Sequence, residues 1–493
     1  MNCGSRACLF VATALSALLI SGCGGAGGGS NNFQTPGGSV VAFGADTPIC
    51  DIESFTATIT SASLVPQGGG QPVSLITSAA PATVDFARLA DFTNILATAS
   101  NVAPGTYSQL QVSLTNPQLT GISTATSPPS NVNIPATLSS TSLTINITPA
   151  LVVTSNVASG LIFDFNLRKS LAVDNTGQVT GVVNAQIKAT PTVASGSTIG
   201  EADSLYGIVQ STSTSNLPSG FTGSFALTLG DGTGQTLTVL SNSSTTFEGN
   251  NVTQFSDLQS GTFVEVDAIV NTSGQIVAQI VDAEEQASAA DQKSAFLGRI
   301  ISITRDGAGN ATSFTLLVGA EIPSMASSIP LHSGLNVTLD ANTLYFTNWA
   351  ALWSQDAFHL SPTTLGVAER VAVFGVLSAG TSPTLTASAV FLRPRNVVGN
   401  FTSLLAAQSD DHLGGFTMVP CGALFGGNPI TVVTYHNTDF SGVGGLDELT
   451  AAPTINTRGL LFYEQTNGSS NSGARWTAPT WVLRARQVHQ LPN

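Results

Sequence analysis

The chain has 493 residues, only 9% of them charged, and 15 Lys or Arg against 29 Asp or Glu give it a formal charge of −14. Its polar faces are hydroxylated instead, with 55 Ser and 59 Thr. Charge-rich disordered chains and coiled coils are excluded, since both need far more Glu, Lys or Arg, and the acidic balance speaks against a nucleic-acid partner, whose phosphates call for cations.

At the N-terminus, Arg6 is the only charge before an apolar run from Ala7 to Ile20. That run falls short of the roughly 20 residues a membrane-spanning helix needs, so it reads as a secretory signal. Ile20-Ser21-Gly22-Cys23 resembles the bacterial lipobox, in which the Cys thiol is diacylglycerated and the chain is cut just before it. The resemblance implies that residues 1–22 are a lipoprotein signal peptide and that Cys23 is lipidated; an ordinary signal peptide is the alternative. Several acyl chains anchor stably, because each buried CH₂ contributes about 0.8 kcal/mol. Residues 23–39 carry no charge and read as a Gly/Ser-rich tether. Gly24, in place of Asp, favours sorting to the outer membrane, so the expected location is the bacterial cell envelope and the expected partner is a membrane met through the lipid. Removal of the signal leaves Cys50 and Cys421 as a disulfide candidate in an oxidising compartment, with two separate buried thiols as the alternative.

Over residues 40–193 the pattern alternates with period two, as in Phe55–Thr60, Gln109–Leu114, Leu143–Ile147 and Leu161–Leu167. Turn residues separate these runs at Gly68-Gly69-Gly70, Pro104-Gly105, Pro128-Pro129 and Asp174–Gly177. One-sided strands of this kind predict a two-layer sandwich, and only Asp85–Ala99 reads as locally helical. Val84-Asp85-Phe86, the segment Val102–Leu110 with its Pro104-Gly105-Thr106-Tyr107 core, and Phe163-Asp164-Phe165 before Ser170-Leu171 resemble an uncharacterised N-terminal β-domain family of secreted bacterial lipoproteins. That resemblance implies an immunoglobulin- or transthyretin-like β-sandwich and brings no activity with it.

Further along, Gly207-Ile208-Val209, Gly298-Arg299-Ile300 and Gly399-Asn400-Phe401 each open a strand. Thr245-Thr246-Phe247, Thr343-Leu344-Tyr345-Phe346 and Thr438-Asp439-Phe440 follow in the same order, and each is succeeded by two more apolar strands. Three small β-barrel repeats are predicted, over 204–285, 296–394 and 396–491. The first, with Asp257–Gly261 before Val264-Glu265-Val266 and Gly274–Ala278 after it, resembles a second uncharacterised family of small β-barrel domains. The other two depart from it by longer inserts that carry all four Trp residues. Ala283–Ala295 holds good helix formers and predicts a linker helix. The fold class expected for the whole chain is all-β.

Hydrolase, zinc-protease and Walker motifs are absent from the sequence, and no Gly-x-Gly-x-x-Gly follows a strand. His332, His359, His412, His436 and His489 are scattered, and Asp410-Asp411-His412 reads as a solvated turn. The quartets beginning at Asp174, Asp231, Asn271 and Asp306 read as hairpin turns, since a calcium loop needs several more oxygen ligands. No catalytic residue, cofactor or metal is expected. Trp349 and Trp353 share one insert, and Trp476 and Trp481 flank Pro479; such aromatics serve either as core anchors or as platforms for sugar rings. The expectation is a non-catalytic, lipid-anchored envelope protein, binding or structural, with an envelope glycan or protein as partner. A surface polysaccharide binder and a hydrolase with an inter-domain site are the alternatives.

Overall fold

The structure is a computed structural model that describes residues 37–46, 52–90, 94–123, 129–175, 178–231, 235–249, 252–286, 293–321, 329–347, 359–378, 382–405, 412–449, 454–465 and 479–491. All of these lie in one compact unit, Pro36–Asn493. The described chain is almost entirely strand.

Thirteen strands form the N-terminal part: β1 (Gly38–Asp46), β2 (Ile52–Pro66), β3 (Val73–Ile76), β4 (Ala82–Asp85), β5 (Asn94–Val102), β6 (Gly105–Ser123), β7 (Ser130–Ile134), β8 (Thr137–Leu138), β9 (Ser142–Val153), β10 (Ala158–Phe165), β11 (Leu171–Val173), β12 (Val179–Val183) and β13 (Ile187–Pro191). The main order is β3-β2-β6-β9-β13-β10-β1-β5, with a small sheet β11-β12-β8 beside it. Only Ala189 opposite Ile147 joins β13 to β9, so the path folds into two facing layers. Between them stack Phe55, Phe86, Phe163 and Phe165, with ring centroids 4.4 to 6.2 Å apart. Tyr107 is buried, and its hydroxyl donates to the Ala103 carbonyl at 2.8 Å, tying the Pro104-Gly105 turn to the strand that follows.

The rest of the chain makes three sheets of one design. The first contains β14 (Thr198–Ser213), β15 (Gly223–Leu229), β16 (Thr236–Ser241), β17 (Thr246–Gly249), β18 (Thr262–Asn271) and β19 (Ile276–Gln286), in the order β16-β15-β14-β18-β19-β17 with β16 closing on β19. The second contains β20 (Lys293–Arg305), β21 (Ala311–Glu321), β22 (Gly334–Thr338), β23 (Leu344–Thr347), β24 (Arg370–Leu377) and β25 (Thr384–Arg393), and the third β26 (Arg395–Leu405), β27 (His412–Pro420), β28 (Ile430–Tyr435), β29 (Asp439–Ser441), β30 (Thr454–Glu464) and β31 (Thr480–Gln490). Both repeat that order, with β22 closing on β25 and β28 on β31. We call them barrels one, two and three.

The landmark residues have one job in each barrel. A Cβ on Gly207, Gly298 or Gly399 would lie 2.2, 2.1 or 2.5 Å from a carbonyl oxygen of the neighbouring strand. A bulge follows each glycine at the same offset, between Val209 and Ser211, Ile300 and Ser302, and Phe401 and Ser403. The glycine admits the close approach and the bulge bends the strand toward closure.

Two local expectations need correction. Within Ala283–Ala295, the expected linker helix is replaced at both ends by strand: β19 runs to Gln286 against β18, and β20 starts at Lys293 against β24. Ladder pairing outweighs the helix propensity of Ala and Glu here. Among the described residues of Asp85–Ala99, only Phe86–Ala90 is helical, as a 3-10 turn, and Asn94 onward is strand.

Candidate functional site

The sparse charges of this chain concentrate where its parts meet. Arg299, Arg370 and Arg393 lie directly opposite one another across β20, β24 and β25, a row of like charges that would repel if left alone. Each faces an acid from elsewhere. Arg299 pairs with Glu53 of the sandwich at 2.5 Å, and Arg370 lies 3.4 Å from Glu265 of barrel one. Arg393, 1% exposed, meets Glu265 at 3.0 Å, Asp282 at 2.5 Å, and Glu284. Barrel three adds Arg458 to Asp203 at 3.0 Å and Arg486 to Asp267 at 3.4 Å.

Around Arg370 and Arg393 three carboxylates face two guanidinium groups, so one carboxylate is in surplus. Burial, followed by the charge of Asp282, pushes Glu284 up to about 7, against the pull of Arg393. A proton on Glu284 would relieve the surplus. The hydroxyl of Tyr206, fully buried beside it, is raised well above the ordinary range by the same burial. Tyr206, Ile208 and Phe263 of barrel one meet Leu297, Ala372, Phe374 and Phe391 of barrel two in an apolar layer around these charges.

A groove opens where barrels two and three meet the sandwich. Its volume is about 420 Å³, and it is lined by Pro129, Ile301, Ser302, Ile303, Arg305, Gly366, Val367, Leu424, Tyr463 and Trp481. Arg305, at the end of β20, donates through Nη1 to the carbonyls of Gly309 and Pro362, at 2.9 and 3.3 Å, and through Nη2 to that of Leu365 at 2.5 Å. These bonds fasten the loop before β24 to the β20/β21 hairpin. From barrel three, Trp481 Nε1 donates to the Val367 carbonyl at 2.9 Å, and Gln465 Nε2 donates to the carbonyls of Gly309 and Thr363. The Trp481 ring meets Tyr463 edge-on at 5.2 Å and Phe425 at 5.5 Å, while the Arg305 guanidinium lies over the Tyr463 ring at 5.2 Å. Beneath the wall, Glu369 is fully buried and accepts from the Tyr463 backbone N–H at 3.1 Å. Burial raises its carboxyl well above the ordinary carboxylate range.

Residues 41–180 match a domain of unknown function, DUF4382. Residues 206–282, within barrel one, match another, DUF5666. No curated protein matches the chain. The DUF4382 match thus falls within the sandwich, which supplies Glu53 to Arg299, and the DUF5666 match includes Glu265, Asp267 and Asp282, which receive Arg370, Arg393 and Arg486.

Of the tryptophans singled out by sequence, Trp481 is half-buried and forms part of the groove wall. Trp349, Trp353 and Trp476 lie outside the described residues, as do Cys23 and Cys50. Cys421 follows β27, its N–H donating to the Val398 carbonyl at 2.9 Å. The Asx quartets at Asn271 and Asp306 make turns: Asn271 Oδ1 accepts from Ser273 and Gln275, and Asp306 Oδ1 from Ala308 and Asn310. Among the described residues no group of three His, Cys, Asp or Glu is placed to hold a metal ion. His332, singled out only as scattered, lies 3.5 Å from Asp85 at the seam between the DUF4382 domain and barrel two. Arg305 carried no signal in the sequence as a groove residue, because the carbonyls of Pro362 and Leu365 that it holds lie 57 and 60 residues further on and the ring it covers, Tyr463, belongs to another barrel.

Proposed function

We propose that this chain is a non-catalytic lipoprotein of the bacterial outer membrane that presents a binding groove on a locked scaffold of four domains. The observation that carries the reading is the Trp481–Tyr463 groove, whose volume falls within the roughly 300–1,000 Å³ of small-ligand sites. An aromatic wall with few polar groups suits a saccharide ring, which favours a surface glycan as partner over a second protein. Two strongly raised carboxylates, Glu284 and Glu369, are spent inside the scaffold, with Glu284 beside Arg393 and Glu369 beneath the groove wall. That use suits support, not a hydrolytic pair. The signal-like segment before Cys23 supports the anchor, and the common strand order and shared landmarks support reading barrels two and three as divergent copies of the DUF5666 domain.

A Cys50–Cys421 disulfide belongs to the same reading. Ala423 and Leu424 pack on Ile122, whose neighbour Gly121 pairs with Ile52, two residues from Cys50. The bridge would staple the sandwich to barrel three and close a loop long enough to contribute several kcal/mol in the chain-entropy account, roughly 4.7 kcal/mol being the figure for 100 residues.

Two assays on the native protein test the proposal. The Cys23→Ser variant is expected to leave the membrane fraction or to accumulate as precursor, and the mature protein is expected to co-sediment with insoluble envelope glycan, less so after Trp481→Leu. A wild-type protein with no lipid on its first residue, or glycan binding that ignores Trp481, would overturn the corresponding half.

A further inference from the structure

Arg305 is the one charged side chain on the described groove wall. Its three hydrogen bonds go to carbonyl oxygens, which spend donors without neutralising charge. Among the described residues it has no carboxylate partner within ion-pair distance. The acid that acts on it, Glu369, is buried beneath the wall, where it accepts from the Tyr463 backbone N–H and lies outside ion-pair distance of the guanidinium. A guanidinium has five N–H donors, so Arg305 keeps donors to spare. The groove therefore pairs two aromatic rings with an uncompensated cation about one ring's width away, since the guanidinium sits 5.2 Å from the Tyr463 centroid and Trp481 the same distance from Tyr463.

Such a surface is complementary to a ligand with an apolar ring face and a carboxylate on its rim. We propose that the groove takes an acidic saccharide, a uronate-bearing glycan whose ring lies against Trp481 and Tyr463 and whose carboxylate meets Arg305. A neutral glycan would use the aromatic wall and leave the cation unpaired, at a cost in affinity because charge-assisted hydrogen bonds are about twice as strong as neutral ones. The inference rests on the glycan-binding reading above and adds the chemical class.

The test compares ligands on the unaltered mature protein, so that no variant need fold. Titration calorimetry with trigalacturonate, its methyl ester and a neutral galactose trisaccharide is expected to show the acid binding about tenfold or more tighter than either uncharged ligand. The preference should shrink with added salt. In Arg305→Gln the three ligands are expected to bind alike, and Trp481→Leu should weaken all of them. Equal binding of acid and ester by the wild type overturns the acidic class while leaving the glycan groove standing. Failure of all three ligands, or binding indifferent to Trp481→Leu in a variant with an unchanged melting transition, overturns the acidic class and counts against the groove itself.

Discussion

Thr245, Thr343 and Thr438 hold equivalent places in the three barrels, and their hydroxyls make the same pair of bonds. Each donates to a carbonyl of the last long strand, Ala278, Ala387 or Ala485, at 2.7 to 3.0 Å. Each also accepts the N–H of the residue three before it, Asn242, Asp340 or Tyr435, at 2.8 to 3.0 Å. Replacing Thr343 or Thr438 by Val keeps the shape and strands both partners, which costs about 1–3 kcal/mol for a buried site. Urea melts of the two variants should show losses in that range, with a smaller loss for Thr245→Val, whose site is half-buried. Equal stability of all three with the wild type would deny the clamp its role. These threonines were visible in the sequence as evenly ordered landmarks, because a fixed turn chemistry demands a fixed residue. Their bonds were not visible, since each acceptor sits 33 to 47 residues further on.

The row of arginines across β20, β24 and β25 is a property of neighbouring strands, and its worth depends on barrel one. Arg393→Met removes the cation that three carboxylates share and leaves them buried without it. Breaking a buried ion pair from one side costs about 3–5 kcal/mol, so the variant should melt markedly earlier at neutral pH. Glu284→Gln should be tolerated, because Glu284 already holds a proton for much of the time near pH 7. A variant series in which Glu284→Gln is as harmful as Arg393→Met would show that Glu284 is needed as an anion. The strands themselves were legible from period-two alternation, while the ends of the expected linker helix were lost to pairing that no local window contains. Nothing in the sequence linked Arg393 to Glu284, which lies 109 residues earlier in another barrel.

At the scale of the molecule, the buried acids set the pH response. Glu284 and Glu321 are each pushed up to about 7, chiefly by burial, from an ordinary value of 4.5, and burial raises Glu369 as well. Between these values the native state holds protons that the unfolded chain has released, so stability falls as pH rises through that window. Glu265, lowered by Arg370 and Arg393 in spite of its burial, acts only below the ordinary carboxylate range, whereas His332, lowered by burial, works in the opposite sense within the window. The balance predicts a higher melting temperature at about pH 5.5 than at about pH 8, and a scan showing the reverse would contradict it. The groove has the same dependence on the whole, since Pro129 comes from the sandwich, Ile301 and Arg305 from barrel two, and Tyr463 and Trp481 from barrel three. It exists only while those parts are docked. Differential scanning calorimetry of the mature chain tests that docking most directly: the locked scaffold predicts one cooperative transition that splits or broadens in Arg393→Met, whereas separate wild-type transitions for sandwich and barrels would contradict it.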